Sequence, residues 1–251
     1  MGENVQIEYH KWYSANLNRD MELKIYGHYG IPIIIFPCSR GRFYDYENFG
    51  MMHAIEGHIN SGKVKLFSVD SVDNESWYNF SILPGDRSAR HEAYDKYICS
   101  EMVPFIKEQC NSENVRIKTS GASMGAFHAV NFFLKHPELF SGAIALSGLY
   151  RLDRNEFQLQ HYDLPFVYFN SPLTYLNNIS DPWFFEWYKK SHSLIYVGQG
   201  AWEDEALEDT RALQHFFHEK GIPANFDYWG YDVNHDWPWW FKMMNHALNV
   251  L

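Results

Sequence analysis

The chain has 251 residues, of which 46% are hydrophobic and 18% aromatic, and its formal net charge is −10. Without any linker-like or repeated segment, this composition favours a single large α/β domain. The negative charge argues against nucleic acid or an anionic membrane surface as a partner. The N-terminal segment lacks the features of a secretory signal and no run approaches about 18 apolar residues, so we expect a cytoplasmic protein without a membrane span.

The cysteines and histidines indicate neither a disulfide framework nor a metal site. Cys38, Cys99 and Cys110 form no C-x-x-C pair, which is typical of reduced thiols. The 13 histidines include no His-Glu-x-x-His motif and no Cys/His pair at ligand spacing. We therefore expect no metal and no cofactor.

The spacing of apolar residues predicts strands and helices in chain order. Val5 to Tyr13 and Met21 to Tyr26 alternate as two strands of an antiparallel hairpin, and the apolar run 31–37 is typical of a strand buried on both faces. Further strands are predicted at 63–69, 115–119, 143–146, 193–197 and 225–229, and helices at 45–55, 89–109, 126–136, 206–220 and from 237 onward. This alternation predicts an α/β fold with a mostly parallel sheet covered by helices on both faces.

Residues 150–190 have no clean periodicity and many aromatic side chains, Tyr162 among them. We interpret them as an insertion that partly covers the edge of the sheet; an ordinary helical connection with core aromatics is an equal alternative. Together with Trp77, Trp202 and Trp237, this segment is predicted to line an acyl or aryl pocket, because ligand pockets are mostly apolar.

A G-x-S-x-G pentapeptide, Gly121 to Gly125, lies between a β-branched strand and an apolar helix. A strand that turns directly into a helix leaves no room for side chains at the two flanking positions, so both must be glycine. The serine between them, Ser123, is then held in a strained conformation with its hydroxyl exposed at the helix N-terminus. This context favours a nucleophile over a glycine-rich turn that only packs a helix on a sheet.

A serine nucleophile needs a base, and the base needs an acid that orients it. In α/β-hydrolases the order along the chain is serine, acid, histidine. His235 follows the strand at 225–229 and is the one histidine in a loop at the same sheet edge as Ser123. The acid follows the strand at 193–197, where Glu203 is favoured over Asp204, since Asp204 could instead begin the next helix.

An oxyanion hole requires two N–H donors. The backbone N–H of Met124, directly after the nucleophile, is expected to supply one. The second is expected from the loop after the 31–37 strand, from Ser39 or its neighbour Cys38. In the same loop, Arg40 and Arg42 either steer an acidic substrate or hold the loop by pairing with Asp45 or Glu47.

Three segments resemble the Putative esterase family of α/β-hydrolases: Gly121–Gly125, Gly198–Asp204 and Asn234–Trp240. The family includes S-formylglutathione hydrolases, feruloyl and enterochelin esterases and mycolyltransferases. The resemblance covers roughly residues 20–250 and implies the α/β-hydrolase fold, hydrolysis of an ester or thioester, and an acid at Glu203. Pro-Cys-Ser-Arg-Gly at 37–41 stands where lipase-like members have His-Gly, so the second oxyanion donor departs from that pattern.

The sequence therefore predicts a serine carboxylesterase that acts on a small-molecule ester or thioester through an acyl-enzyme on Ser123. Two other functions stay open. One is acyl transfer to an acceptor other than water. The other is a catalytically silent binding protein on a hydrolase scaffold. The sequence predicts no oligomeric state.

Overall fold

An eight-stranded sheet forms the centre of the computed structural model, which describes residues 5–160 and 164–251. Tyr162 of the predicted insertion lies outside these residues. The strands are β1 (Ile7–Ser14), β2 (Arg19–Tyr26), β3 (Ile31–Phe36), β4 (Val64–Val69), β5 (Ile117–Ala122), β6 (Phe140–Leu146), β7 (Ser193–Val197) and β8 (Ala224–Tyr228). Their order in the sheet is β1-β2-β4-β3-β5-β6-β7-β8. The pairs β1–β2 and β2–β4 are antiparallel and the others are parallel, which confirms the predicted hairpin and mostly parallel sheet.

Eleven α-helices connect or flank these strands in the described part of the chain. They are α1 (Asp45–Asn48), α2 (Met51–Ala54), α3 (Glu56–Asn60), α4 (Pro84–Tyr97), α5 (Val103–Gln109), α6 (Met124–Lys135), α7 (Pro165–Tyr168), α8 (Pro172–Tyr175), α9 (Pro182–Tyr188), α10 (Asp204–Lys220) and α11 (Trp237–Val250). None of them combines the length and apolarity needed to cross a bilayer.

Two hydrophobic clusters cover the two faces of the sheet. One contains side chains of α4 and α6, such as Tyr94 and Phe132, and the other contains side chains of α2 and α11, such as Met51 and Met243. Because side chains of a strand point alternately to the two faces, Ile34 packs in the first cluster and Ile33 in the second. The centre of the sheet, with β3, β5 and β6, is therefore packed on both faces.

Two of the predicted helices differ from those in the structure. The helix predicted at 45–55 is divided into α1 and α2 because Gly50, with φ of +95°, turns the chain between them. The helix predicted at 89–109 begins earlier, at Pro84, and contains a π-helical turn at Ile98–Met102, which ends two residues before Pro104. Since proline has no N–H to continue the hydrogen-bond ladder, this irregularity is the break that Pro104 predicts.

Some aromatic side chains of the segment 150–190 are buried in the core and others are exposed, so neither sequence-based interpretation covers all of them. Tyr150 and Tyr188 are buried in the core beside α6, whereas Phe169 and Trp183 are about half exposed. The segment contains the short helices α7, α8 and α9. Its description as an insertion stays an interpretation.

Candidate active site

Ser123 lies between β5 and α6 with φ of +56° and ψ of −121°, a conformation that residues other than glycine rarely adopt. The two flanking glycines allow this turn. A Cβ on Gly121 would lie 2.2 Å from the backbone carbon of Gly125, and a Cβ on Gly125 would lie 2.3 Å from the carbonyl oxygen of Phe36. The strand, the turn and the helix are therefore packed backbone against backbone. As a result, the side chain of Ser123 projects from the N-terminus of α6.

Gly125→Ala is expected to lower the free energy of unfolding by about 1–3 kcal/mol, since the new methyl group meets backbone atoms of β3 that cannot rotate away. Activity should fall as well, because α6 and the N–H of Met124 would shift relative to Ser123. Gly57→Ala is the matched control. Gly57 lies exposed in α3, and no atom lies within 4 Å of the place that an added methyl group would take, so this change should be neutral or stabilising by up to about 1 kcal/mol. Urea unfolding of both variants measures the difference, and equal stabilities would contradict the steric argument.

His235 connects Ser123 to a buried carboxylate. Its Nε2 lies 3.0 Å from the Oγ of Ser123, and its Nδ1 lies 3.1 Å from an oxygen of Glu203. The Glu203 side chain is 1% exposed and that of His235 is 22% exposed, so the carboxylate is shielded while the imidazole reaches the surface. Asp204 is instead the first residue of α10 and is exposed.

Backbone hydrogen bonds between the loops after β7 and β8 hold His235 in place. The N–H of His235 donates to the carbonyl of Ala201 at 3.0 Å, and the N–H of Gly200 donates to the carbonyl of Val233 at 2.9 Å. The side-chain oxygen of Asn234 accepts from the N–H of Ala201 at 2.8 Å. Because the two loops are fixed to each other, Glu203 and His235 keep their relative position without help from a ligand.

Ser147 and Trp240 support the Glu203 carboxylate and were not singled out by sequence reasoning. The hydroxyl of Ser147 donates to the second oxygen of Glu203 at 2.6 Å, and the indole N–H of Trp240 donates to the Ser147 oxygen at 3.2 Å. The Trp240 ring also packs edge-on against the His235 imidazole at 4.9 Å between centroids. Ser147 directly follows β6, at the same sheet edge as Ser123, and this position was the signal that could have identified it.

On the other side of Ser123, the loop after β3 brings Ser39 close to Tyr78. Their hydroxyl oxygens are 3.0 Å apart, and the Tyr78 hydroxyl also donates to Glu156 at 3.2 Å. Burial raises the pKa of the neighbouring Cys38 thiol to about 12, so that thiol stays protonated near neutral pH.

Neither arginine of this loop pairs its guanidinium with Asp45 or Glu47. The guanidinium of Arg42 binds Asp70 at 2.7 Å and Glu22 at 2.8 Å, while only its backbone N–H donates to Asp45. Arg40 lies over the Tyr78 ring, 5.0 Å from its centroid. The expected side-chain pairing with Asp45 or Glu47 is therefore wrong for Arg42, which instead ties the loop to β2 and to the end of β4.

A cavity of about 320 Å³ opens beside Ser123. Besides Ser123 and His235, its lining consists of Leu149, Glu156, Trp202, Asp204, Glu205 and Ala206. Of the three tryptophans predicted to contact substrate, the structure brings Trp202 to this cavity, where its side chain is 85% exposed. Glu156, in the segment 150–190, carried no signal in the sequence beyond its charge.

Trp77 and Trp237 occupy other places in the described part of the chain. Trp77 is fully buried beneath the nucleophile turn, in a cluster with Met124 and Phe127, so it supports α6 and has no surface to offer a substrate. Trp237 stacks on Phe49 at 4.7 Å and fixes the start of α11 against α1 and α2. The Trp77 ring fills the interior and the Trp237 ring packs partly buried against the second cluster, which is the commoner role of aromatic residues.

One group of side chains has the composition of a metal site, at the end of α6 opposite Ser123. The ligand atoms of Asp95, Cys99 and His136 lie within 4.8 Å of one another. However, Asp95 already pairs with Lys135 at 2.8 Å and with His136 at 2.9 Å. The lysine ammonium therefore supplies the positive charge that the carboxylate needs, and the group is best described as an ion-pair cluster.

The sequence profile of the family described as Putative esterase matches residues 14–251. The chain belongs to this family. Family membership makes it an esterase of the serine hydrolase class. No curated protein matches the chain.

Solved structures show the same fold at low sequence identity. A ferulic acid esterase superposes with a TM-score of 0.76 at 14% identity, covering 99% of this chain and 98% of that one. An S-formylglutathione hydrolase from Agrobacterium tumefaciens has a TM-score of 0.74 at 14% identity, with coverages of 98% and 94%. FphF, a fluorophosphonate-binding serine hydrolase from Staphylococcus aureus, has a TM-score of 0.64 at 15% identity, with coverages of 99% and 98%. The predicted α/β-hydrolase fold is thereby confirmed.

Proposed function

We propose that this esterase hydrolyses a small carboxylic ester or thioester through an acyl-enzyme on Ser123, with His235 as the base and Glu203 as the orienting acid. The observation that carries the proposal is the continuous hydrogen-bonded series Glu203–His235–Ser123, with contacts of 3.1 and 3.0 Å. This is the geometry by which a weak serine nucleophile is activated.

The Oγ of Ser123 attacks the carbonyl carbon of the ester while its proton passes to Nε2 of His235. The bond to the leaving alcohol or thiol then breaks, and the leaving group takes that proton. Water repeats the sequence on the acyl-enzyme, and the freed acid leaves Ser123 in its starting state. The carboxylate of Glu203 stabilises the imidazolium that forms in both steps.

Two backbone N–H groups are proposed to bind the oxyanion formed in each step. Met124 is the first residue of α6, so its N–H is one of those at the helix start that have no acceptor one turn back. Ser39 follows β3, which pairs with β5 directly before the nucleophile turn. The positive end of the α6 dipole favours negative charge at this point.

Labelling with a fluorophosphonate probe tests the proposal, because such probes react covalently with activated serines. We expect one label, located on Ser123 by peptide mapping, and no label in the Ser123→Ala variant. A panel of p-nitrophenyl esters of increasing acyl length then measures turnover. Absence of labelling together with absence of turnover would favour a catalytically silent scaffold.

A further inference from the structure

The cavity beside Ser123 is unevenly charged. Three of its lining side chains are carboxylates, those of Glu156, Asp204 and Glu205, and it contains no lysine or arginine among the described lining residues. The hydrogen-bonded pair of Ser123 and His235 marks the cavity as the place of reaction. The existence of the site rests on Ser123 and His235, and the carboxylates indicate which esters bind there.

Nearby cations neutralise these carboxylates only in part. Arg154 lies 3.8 Å from Glu205, but its guanidinium is shared with Glu208 and Asp209. In the described part of the chain, Glu156 and Asp204 have no lysine, arginine or histidine within ion-pair distance. Partial burial raises the pKa of Glu156 and the charge of Glu205 acts in the same direction, while the Tyr78 hydrogen bond, His235 and Arg154 lower it. Asp204 has no ion-pair partner among the described residues, and Glu205 shares Arg154 with two other carboxylates, so the negative charge of the cavity is only partly compensated.

Trp202 adds a second feature suited to a positive group. It is 85% exposed and lines the cavity, so its ring is open to a ligand instead of packed into the core. The faces of an indole ring attract cations, an effect worth about 0.5–1 kcal/mol at exposed sites. An exposed indole together with carboxylates is a combination that recognises quaternary or alkylated ammonium groups.

The sheet order shows which part of the ester would fill the cavity. Apart from Ser123, all of its lining residues follow β6, β7 or β8, whereas Ser39 follows β3 on the opposite side of β5. His235 also follows β8, and it must give its proton to the leaving group. The cavity therefore lies on the side of Ser123 from which His235 protonates the leaving group, and its edge at Glu156 connects to Ser39 through the Tyr78 hydroxyl.

We propose that the preferred substrates are esters or thioesters whose alcohol or thiol part carries a positive charge, bound by Glu156, Asp204, Glu205 and Trp202. This inference rests on the proposed function and narrows it to a substrate class. Electrostatic attraction lowers the free energy of the bound cationic ester and also raises its local concentration at the cavity. A neutral ester of the same shape gains neither effect.

The test compares acetylthiocholine with its carbon analogue, in which a tert-butyl group replaces the trimethylammonium group, by following the released thiol. We expect kcat/KM for the cationic thioester to exceed that for the neutral one by about tenfold at low ionic strength. This ratio should fall as salt is added, because salt screens exposed charges. A ratio of one or below in the wild-type protein would overturn the inference.

Glu156→Gln removes one cavity charge and should lower the ratio about threefold or more. Glu219→Gln is the matched control: it makes the same change at the opposite end of α10, where Glu219 pairs with His215, and should leave the ratio unchanged. An unchanged ratio in Glu156→Gln, or an equal fall in Glu219→Gln, would contradict the assigned contact.

The experiments distinguish a wrong proposed function from a wrong substrate class. If neither thioester is hydrolysed and Ser123 resists the fluorophosphonate probe, the proposed function itself is wrong. If Ser123 reacts with the probe but both thioesters are poor substrates, protection against labelling decides the matter. Choline should then slow the labelling of Ser123 more than its tert-butyl analogue does, and equal protection would overturn the inference.

Discussion

Ser123→Ala should abolish ester hydrolysis, lowering kcat by about 10⁶-fold, while the protein stays folded. The hydroxyl oxygen is the atom that would form the acyl-enzyme, and no other side chain can take its place at the N-terminus of α6. Alanine leaves the backbone strain at this position as it is, so the free energy of unfolding should change by less than about 1 kcal/mol. Turnover of a p-nitrophenyl ester and urea unfolding measure the two effects.

Ser120→Ala is a matched control for this variant. Ser120 lies three residues earlier in β5, is fully buried, and its hydroxyl contacts no hydrogen-bonding partner among the described residues. Removing that hydroxyl should leave kcat near the wild-type value. A folded Ser123→Ala variant that retained most of the turnover would end the assignment of Ser123 as nucleophile.

The surroundings of Ser123 were accessible from the sequence because they depend on local geometry. A strand, two glycines around a serine and an apolar helix are contiguous in the chain, and each restricts the next. Glu203 and His235 were accessible for a similar reason. Both follow predicted parallel strands, and the carboxyl ends of parallel strands meet at one edge of the sheet.

Contacts that depend on side-chain packing between distant elements could not be predicted from the sequence. Ser147 follows a predicted strand at the correct sheet edge, but no spacing in the chain predicts that it reaches Glu203 or that Trp240 reaches it. The same limit explains Trp77. Its position in a loop at the correct sheet edge suggested a pocket, but the ring turns inward beneath α6, where hydrophobic burial stabilises it.

Glu203→Gln should lower kcat by about 10²–10⁴-fold with a neutral ester as substrate. The glutamine keeps the volume of the buried acid, and its carbonyl oxygen can still accept the hydrogen bond from Ser147. Its amide group would then face Nδ1 of His235 and donate to it, which selects the wrong tautomer of the imidazole. The negative charge that stabilises the imidazolium is also lost. Because serine and histidine remain, the loss should be smaller than in Ser123→Ala.

Asp204→Asn is the matched control, since it makes the same change one residue along the chain. Asp204 begins α10 and faces solvent at the cavity, so its charge interacts with the helix dipole. We expect a loss of roughly 0.5–1 kcal/mol in stability, seen as a fall of about 1–3 °C in the thermal midpoint, and near-normal kcat for the neutral ester. Both variants are measured for kcat and thermal midpoint. If Asp204→Asn were the inactive variant and Glu203→Gln nearly normal, the acid would be Asp204, and the loop after β7 would have to rearrange during catalysis to bring that carboxylate to His235.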